Sequence, residues 1–284
     1  MRRVRVAVIS EHDQVWSLPA WERAVDLLIE DGHNIVGIWS CPKALSTHRG
    51  SDVTRWYMTA FGIVDFCKLA AFAVVAHLSR LAGALFKTRA ASFQKLAART
   101  GANYGQCKSP NDRVFVSWLR ENNIDVLLIT VGFILGEDVL SVPTLGTVNK
   151  HASLLPANRG LFPYFWATLH GTRQGVSYHL VTPGIDEGPL LVQDKIIPEK
   201  YLSTMIRFYL YVFGTFSQRI RACVRILADS EVRTDFPAVQ KSYYGLPTRK
   251  DVRDFRRRGG RIIALTDILM ATQIGRFHAQ PDIY

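Results

Sequence analysis

The chain has 284 residues, 48% of them hydrophobic, enough for one or two domains with a substantial buried core. Thirty-five Lys and Arg against 24 Asp and Glu give a net charge of +11, which favours anionic partners such as nucleotides, phosphorylated sugars, tRNA or acidic lipid. No fixed-period repeat or low-complexity tract is present, and the four cysteines form neither a C-x-x-C pair nor a zinc spacing with histidine, so a solenoid and a zinc module are excluded.

The opening MRRVRVAVIS has too short an apolar run for a signal peptide and reads as a first strand over residues 4–10. With the cysteines read as reduced thiols, a cytoplasmic location is expected. A helix pattern follows over 21–30, ended by DGHN, and IVGIWS (35–40) reads as the next strand. Residues 45–100 break this rhythm. Their stretch LAAFAVVAHLSRLAGALF holds 11 uncharged residues between Lys68 and Arg80, short of the roughly 20 that a bilayer span needs. A packing helix is the plain reading. A peripheral membrane contact over 69–89 and a self-association face, as in a homodimer, are the alternatives, since Lys68, Arg80, Lys87 and Arg89 flank it.

Further along, 112–123 has the apolar spacing of an amphipathic helix. IDVLLITVGF (124–133) is apolar almost throughout, as in a strand covered on both faces, and LGTVN is another strand. This alternation predicts an α/β fold with a mainly parallel, twisted sheet flanked by helices. Ligands of such sheets bind beyond the carboxyl ends of the strands, where Asn149 and His151 fall. Residues 175–198 read as a strand pair joined by the glycine-rich turn PGIDEGP, and a helix over about 202–228 closes a main domain of residues 1–235. The segment 236–284 is expected to be a short basic extension. Its PTRKDVRDFRRRGG carries a capping box from Thr248 to Asp251 and a stop at Gly259. The arginines there read as a solvated helix face or as the grip on an anionic group.

Chemistry concentrates in TVNKHASLLPANRG (147–160). Strand alternation points Asn149 and His151 to the same side. An imidazole can take a proton near neutral pH, and an amide can donate to a forming oxyanion without changing its own charge. Asp186, in a glycine-flanked turn 35 positions after His151, can orient the ring and stabilise its charge. Alone, each residue has a blander role: a packed histidine, or a turn aspartate. Ser153 near His151 does not make a serine hydrolase, because the G-x-S-x-G elbow is missing.

Taken together, NKHASLLPANRG, GVSYHLV and IDEGPLLVQ resemble the core of the folate-dependent formyltransferases, over about 112–198 and more weakly over the first 40 residues. The resemblance implies a Rossmann-like formyltransferase fold and transfer of a formyl group from 10-formyltetrahydrofolate to a primary amine, with no metal. It implies that His151 is the general base, Asn149 the oxyanion donor and Asp186 the orienting proton relay. VGFIL resembles the segment lining the folate pocket, so Gly132, Phe133, Ile134 and Leu135, with Pro183, Gly184, Ile185 and Gly188, are expected to hold the folate. His179 and Arg159 are candidates for the acceptor. Tyr178, Leu180 and Pro183 depart from the usual pattern, and EHDQVWSLPAW replaces the glycine-rich phosphate loop expected of a glycinamide ribonucleotide transformylase. The tail reads as helix where a methionyl-tRNA formyltransferase would carry a β-barrel, which makes tRNA the lesser alternative. The favoured acceptor is a phosphate-bearing small amine, an amino group on a nucleotide-linked sugar. A different small amine, such as a lipid-linked amino sugar or a siderophore precursor, comes next, and a folate- or nucleotide-binding member without turnover is a further alternative.

Overall fold

A computed structural model describes residues 2–45, 47–49, 51–86, 89–196, 203–230, 236 and 238–274. Chain order runs β1 (Arg5–Glu11), α1 (Ser17–Glu30), β2 (Asn34–Cys41), the short β3 (Ala44–Leu45) and β4 (His48–Arg49), α2 (Ser51–Phe61), α3 (Ile63–Leu85), α4 (Phe93–Thr100) and β5 (Asn103–Gln106). Then come α5 (Arg113–Glu121), β6 (Val126–Thr130), α6 (Glu137–Leu140), β7 (Gly146–His151), β8 (Arg159–Gly160), α7 (Pro163–His170), β9 (Gln174–Leu180) and β10 (Leu190–Ile196). The remainder is α8 (Met205–Asp229), β11 (Tyr243–Tyr244), α9 (Arg249–Arg257), α10 (Leu265–Met270) and a final single 3-10 turn, Ala271–Gln273.

Seven strands form one sheet in the order β10-β9-β7-β6-β1-β2-β5. The five from β7 to β5 are parallel, whereas β9 and β10 are antiparallel. Successive side chains of a strand point to opposite faces, so both faces of β1 are apolar. Val6 and Val8 enter the larger core with α1, α3 and α8, while Ala7 and Ile9 meet Phe115 and Leu119 of α5. The expected mainly parallel, helix-flanked sheet is therefore present. The edge strand β5 and helix α7 carried no distinct sequence signal, because the first is short and half-exposed and the second is apolar all round.

Within 45–100, α4 packs on β2 and β5 as an ordinary crossover helix, which leaves α2 and α3 as the added pair. Here the sequence expectation on length needs correction. The run between Lys68 and Arg80 looked too short to span a bilayer, but α3 continues past both charges for 23 residues and is long and apolar enough, by length and composition, to cross one. It nevertheless lies against the domain: Phe72 and Ala76 are buried, and Arg80 Nη2 donates to Glu22 Oε2 of α1 at 3.0 Å. Lys87 lies outside the described residues.

The capping box at Thr248 is formed as read, and Gly259, at φ +85°, closes α9. Residues 249–274 share the larger core: Phe255 stacks on Phe165 of α7 at 4.5 Å. The buried Asp267 accepts from Thr204 Oγ1 at 2.7 Å and Arg207 Nε at 2.6 Å at the start of α8. The four cysteines are free thiols.

At the other end of α8, Arg221 and Arg225 both donate to the nearly buried Asp31 carboxylate that ends α1. Their hydrogen bonds hold that carboxyl well below its ordinary range, against the opposing effect of burial. A depressed folded pKa stabilises the fold above the unfolded value of about 3.9, and the contribution is lost as pH falls through the folded value. Asp31→Asn should thus cost roughly 1.5–3 kcal/mol in urea unfolding at neutral pH. The difference from wild type should shrink as the medium is acidified.

Candidate active site

Strand β7 is positioned by two unlike neighbours. It runs parallel to β6, with Ile129 beside Asn149, and antiparallel to β9, with Asn149 opposite His179 and His151 opposite Ser177. The sequence-predicted trio meets here, and His179 joins it. Asp186 Oδ2 lies 3.4 Å from His151 Nδ1, and its Oδ1 lies 3.6 Å from His179 Nε2. The Asn149 amide nitrogen is 3.5 Å from His179 Nε2.

Two carbonyl oxygens assign the ring protons, because a carbonyl only accepts. His151 Nε2 donates to Asn158 O at 2.8 Å, so in the neutral ring Nδ1 keeps a lone pair directed toward Asp186. His179 Nδ1 donates to Leu180 O at 2.9 Å, and its Nε2 stands between the Asn149 amide and Asp186 Oδ1. The Asn158 carbonyl is presented by a left-handed residue, φ +53°, whose own N–H is held by Ser242 Oγ at 2.8 Å. Ser153 Oγ is engaged elsewhere, donating to Ala157 O at 2.6 Å.

Burial disfavours the charged imidazole, so His151 is held below its ordinary 6.5 even though Asp186 pulls the other way. Burial also works to raise the Asp186 carboxyl. The hydrogen bond with His179, the charge of His151 and the Gly160 N–H outweigh it and bring that pKa down to about 2. The last of these donors, 2.9 Å from Oδ2, is a backbone group that no residue-type motif signals. The resting site is therefore a neutral imidazole facing a carboxylate.

The remaining predicted residues divide. Gly188 was expected to leave room for a ligand. Instead, a Cβ there would lie 1.7 Å from Leu180 O, so its smallness is required by closure of the loop that carries Asp186, itself at φ +50°. Leu135 is a core residue beneath α5 rather than a wall of an open pocket. Gly132 N–H donates to Glu11 Oε1 at 2.8 Å, tying the segment after β6 to the end of β1. Phe133 is half-buried, and Ile134 is exposed. Pro183, Gly184 and Ile185 lie in the turn between β9 and β10, with Ile185 exposed. The two segments thus follow β6 and β9, the strands on either side of β7. Arg159 is engaged with Glu187 and Ile185 O, and it clamps the Asp186 turn from below. Tyr178 fills the core against Phe216, and the side chain of Leu180 covers Gly146.

One group escaped the sequence reading. Lys150, between Asn149 and His151, points to the opposite sheet face, and its ammonium lies 3.9 Å from the centre of the Phe213 ring. Burial brings its pKa down to about 8, opposed by Asp13. Its place between Asn149 and His151, on the face opposite theirs, was the available signal.

The sheet and this polar cluster at the end of β7 define an α/β transferase-type site. A formyl transferase family profile matches residues 67–207. Methionyl-tRNA formyltransferase of Caldanaerobacter subterraneus subsp. tengcongensis is 34% identical over 131 residues, which span 45% of this chain and 42% of that protein. The aligned region is thus less than half of that relative. Among solved structures, glycinamide ribonucleotide transformylase 1 of Symbiobacterium toebii superimposes with a TM-score of 0.56 at 16% identity, covering 82% of this chain and 91% of that one. A sugar N-formyltransferase of a Shewanella species gives 0.55 at 14% identity, covering 90% and 87%. At such identities the structures speak for the fold alone. The chain belongs to the formyl transferase family.

Because burial lowers the His151 pKa and the Asp186 charge raises it, Asp186→Asn should lower it further. An NMR titration of the His151 ring would read this directly; an unchanged midpoint would show that the carboxylate does not act on the ring.

Proposed function

We propose that this protein is an N-formyltransferase that moves a formyl group from 10-formyltetrahydrofolate to a primary amine. The observation that carries the reading is the bare Nδ1 of neutral His151, held 3.4 Å from the Asp186 carboxylate and two strand positions beyond Asn149. Family membership and the matched motif support it.

Ile134 and Ile185, exposed on the two segments that flank β7, suit the apolar face of a folate, and backbone of 131–135 and 183–185 would hold its ring. When bound, the folate supplies an activated formyl carbon. Asn149 donates its amide N–H to the oxygen on which negative charge gathers as the amine adds. His151 Nδ1 takes the proton that the amine nitrogen sheds, and the imidazolium so formed is stabilised by Asp186. The same proton is then available to the nitrogen that departs from the formyl carbon, which completes the balance: one C–N bond made, one broken. His179 braces the amide of Asn149 and the second oxygen of Asp186. Among the described residues no group of three His, Cys, Asp or Glu is placed to hold a metal ion, and this sequence of proton transfers calls for none.

The nucleotide-linked amino sugar expected from charge and size remains a candidate acceptor. A tRNA acceptor has support in the similarity to methionyl-tRNA formyltransferases. The same amine chemistry serves both.

Asn149→Ala, His151→Ala and Asp186→Ala should each lower turnover at least about 100-fold. Absorbance of the tetrahydrofolate released with an accepted amine measures this; near-normal rates in folded His151→Ala would overturn the mechanism. The base form of His151 is the active one and its pKa is lowered. The wild-type rate should therefore rise with pH through a midpoint below 6.5 and be level at neutrality.

A further inference from the structure

Helix α3 has two apolar faces. Phe72, Ala76 and the Arg80–Glu22 pair lie on the one that packs against the domain. Ile63, Val74, Leu78, Leu81 and Leu85 recur at helical spacing on the other and are open to solvent: Val74 is 56%, Leu78 58% and Leu85 82% exposed. Helix α10 packs on α3 and leaves Leu265 and Leu269 exposed as well. At the start of α3 a cleft of about 410 Å³ sets Arg249, Arg253 and Arg256 of α9 beside Met58 and Ile63. An apolar helix stripe rimmed by arginines, on a chain of net charge +11, complements an anionic lipid surface.

The packed side of the same helix walls a cavity of about 640 Å³. Trp16, Phe66, Phe72, Phe162, Tyr209 and Phe213 join aliphatic side chains in an apolar lining, and Trp16 stacks on Phe72 at 5.3 Å. Its polar end holds Asp13 and Lys43. It approaches the candidate site through Leu161, which follows Gly160, whose N–H holds Asp186; on the other face of β7, Phe213 carries the Lys150 ammonium. The cavity's aliphatic and aromatic lining suits a hydrocarbon chain, and its polar end suits an anionic group near the amine.

We infer that the acceptor amine is carried on a lipid: its apolar chain enters the cavity behind α3, its anionic linkage meets Lys43 and Lys150, and α3 with α10 seats the domain on the anionic membrane that holds it. This rests on the formyl-transfer reading and narrows its acceptor.

Calorimetric titration with decyl phosphate, ethyl phosphate and UDP tests the cavity without turnover, so its failure leaves the formyl-transfer reading to its own assay. Decyl phosphate should bind at least about tenfold more tightly than either other probe, as a buried chain requires. Ala73→Trp, which fills the cavity from α3, should abolish the preference. Lys150→Gln should weaken decyl and ethyl phosphate alike. Affinity independent of chain length, or tighter binding of UDP, overturns the proposal in favour of a soluble nucleotide-linked acceptor. In flotation, the wild type should rise with phosphatidylcholine vesicles containing phosphatidylglycerol and not with phosphatidylcholine alone. Val74→Asp/Leu78→Asp, at exposed positions and with an unchanged circular dichroism melt, should stay behind. Wild-type protein that fails to float, or that sediments as a dimer disrupted by the same pair, overturns the membrane face.

Discussion

The antiparallel register of β7 with β9 sets Asn149 directly across from His179 and brings the turn after β9 back over His151. The two antiparallel strands therefore do more than close one edge of the sheet. They return the chain so that Asp186 meets two histidines from one side, while Gly160, following the ASLLPAN turn, meets it from another.

The same turn settles the protonation pattern. Asn158, in a left-handed conformation, offers a carbonyl to His151 Nε2 and so fixes which nitrogen is bare. Desolvation then keeps the ring neutral, and the nearby carboxylate makes the charged ring tolerable once a proton arrives. Neither effect alone gives a usable base. A buried ring without Asp186 would resist protonation, and an exposed one would not be held in place. The opposed signs of the two contributions to His151 are what suit the ring to a proton that comes and goes.

How much of this was legible follows from what each feature depends on. Strands with strong apolar patterns, β1, β2 and β6, were readable because burial on both faces writes itself into residue type. The Asn149–His151–Asp186 set was readable because alternation fixes facing within a strand and because its spacing matched a known motif. The packing constraint on Gly188 was invisible, since a glycine looks the same whether a ligand or the Leu180 carbonyl fills the missing side chain's space. Leu135 was misplaced for a similar reason, being apolar and adjacent to a loop but turned into the core. Backbone donors such as Gly160 N–H leave no trace in side-chain chemistry. The length of α3 was underestimated because Lys68 and Arg80 looked like ends, whereas one pairs with Asp65 along its own helix and the other with Glu22 across a packed interface.

That interface explains how one helix can carry apolar residues on both sides of its axis. A helix that merely covered a core would pair its apolar face with a polar outer one. On α3 the outer face instead continues the apolar composition, while the charges sit where they can be neutralised: Asp65 by Lys68 and Arg256, and Arg80 by Glu22. Leaving so many large apolar side chains in water offers nothing to the fold of the isolated chain. The composition is accounted for once the outer face is covered and the inner face admits the same kind of molecule. A cavity walled by the inner face, and reaching Leu161 next in sequence to Gly160, makes these a single requirement.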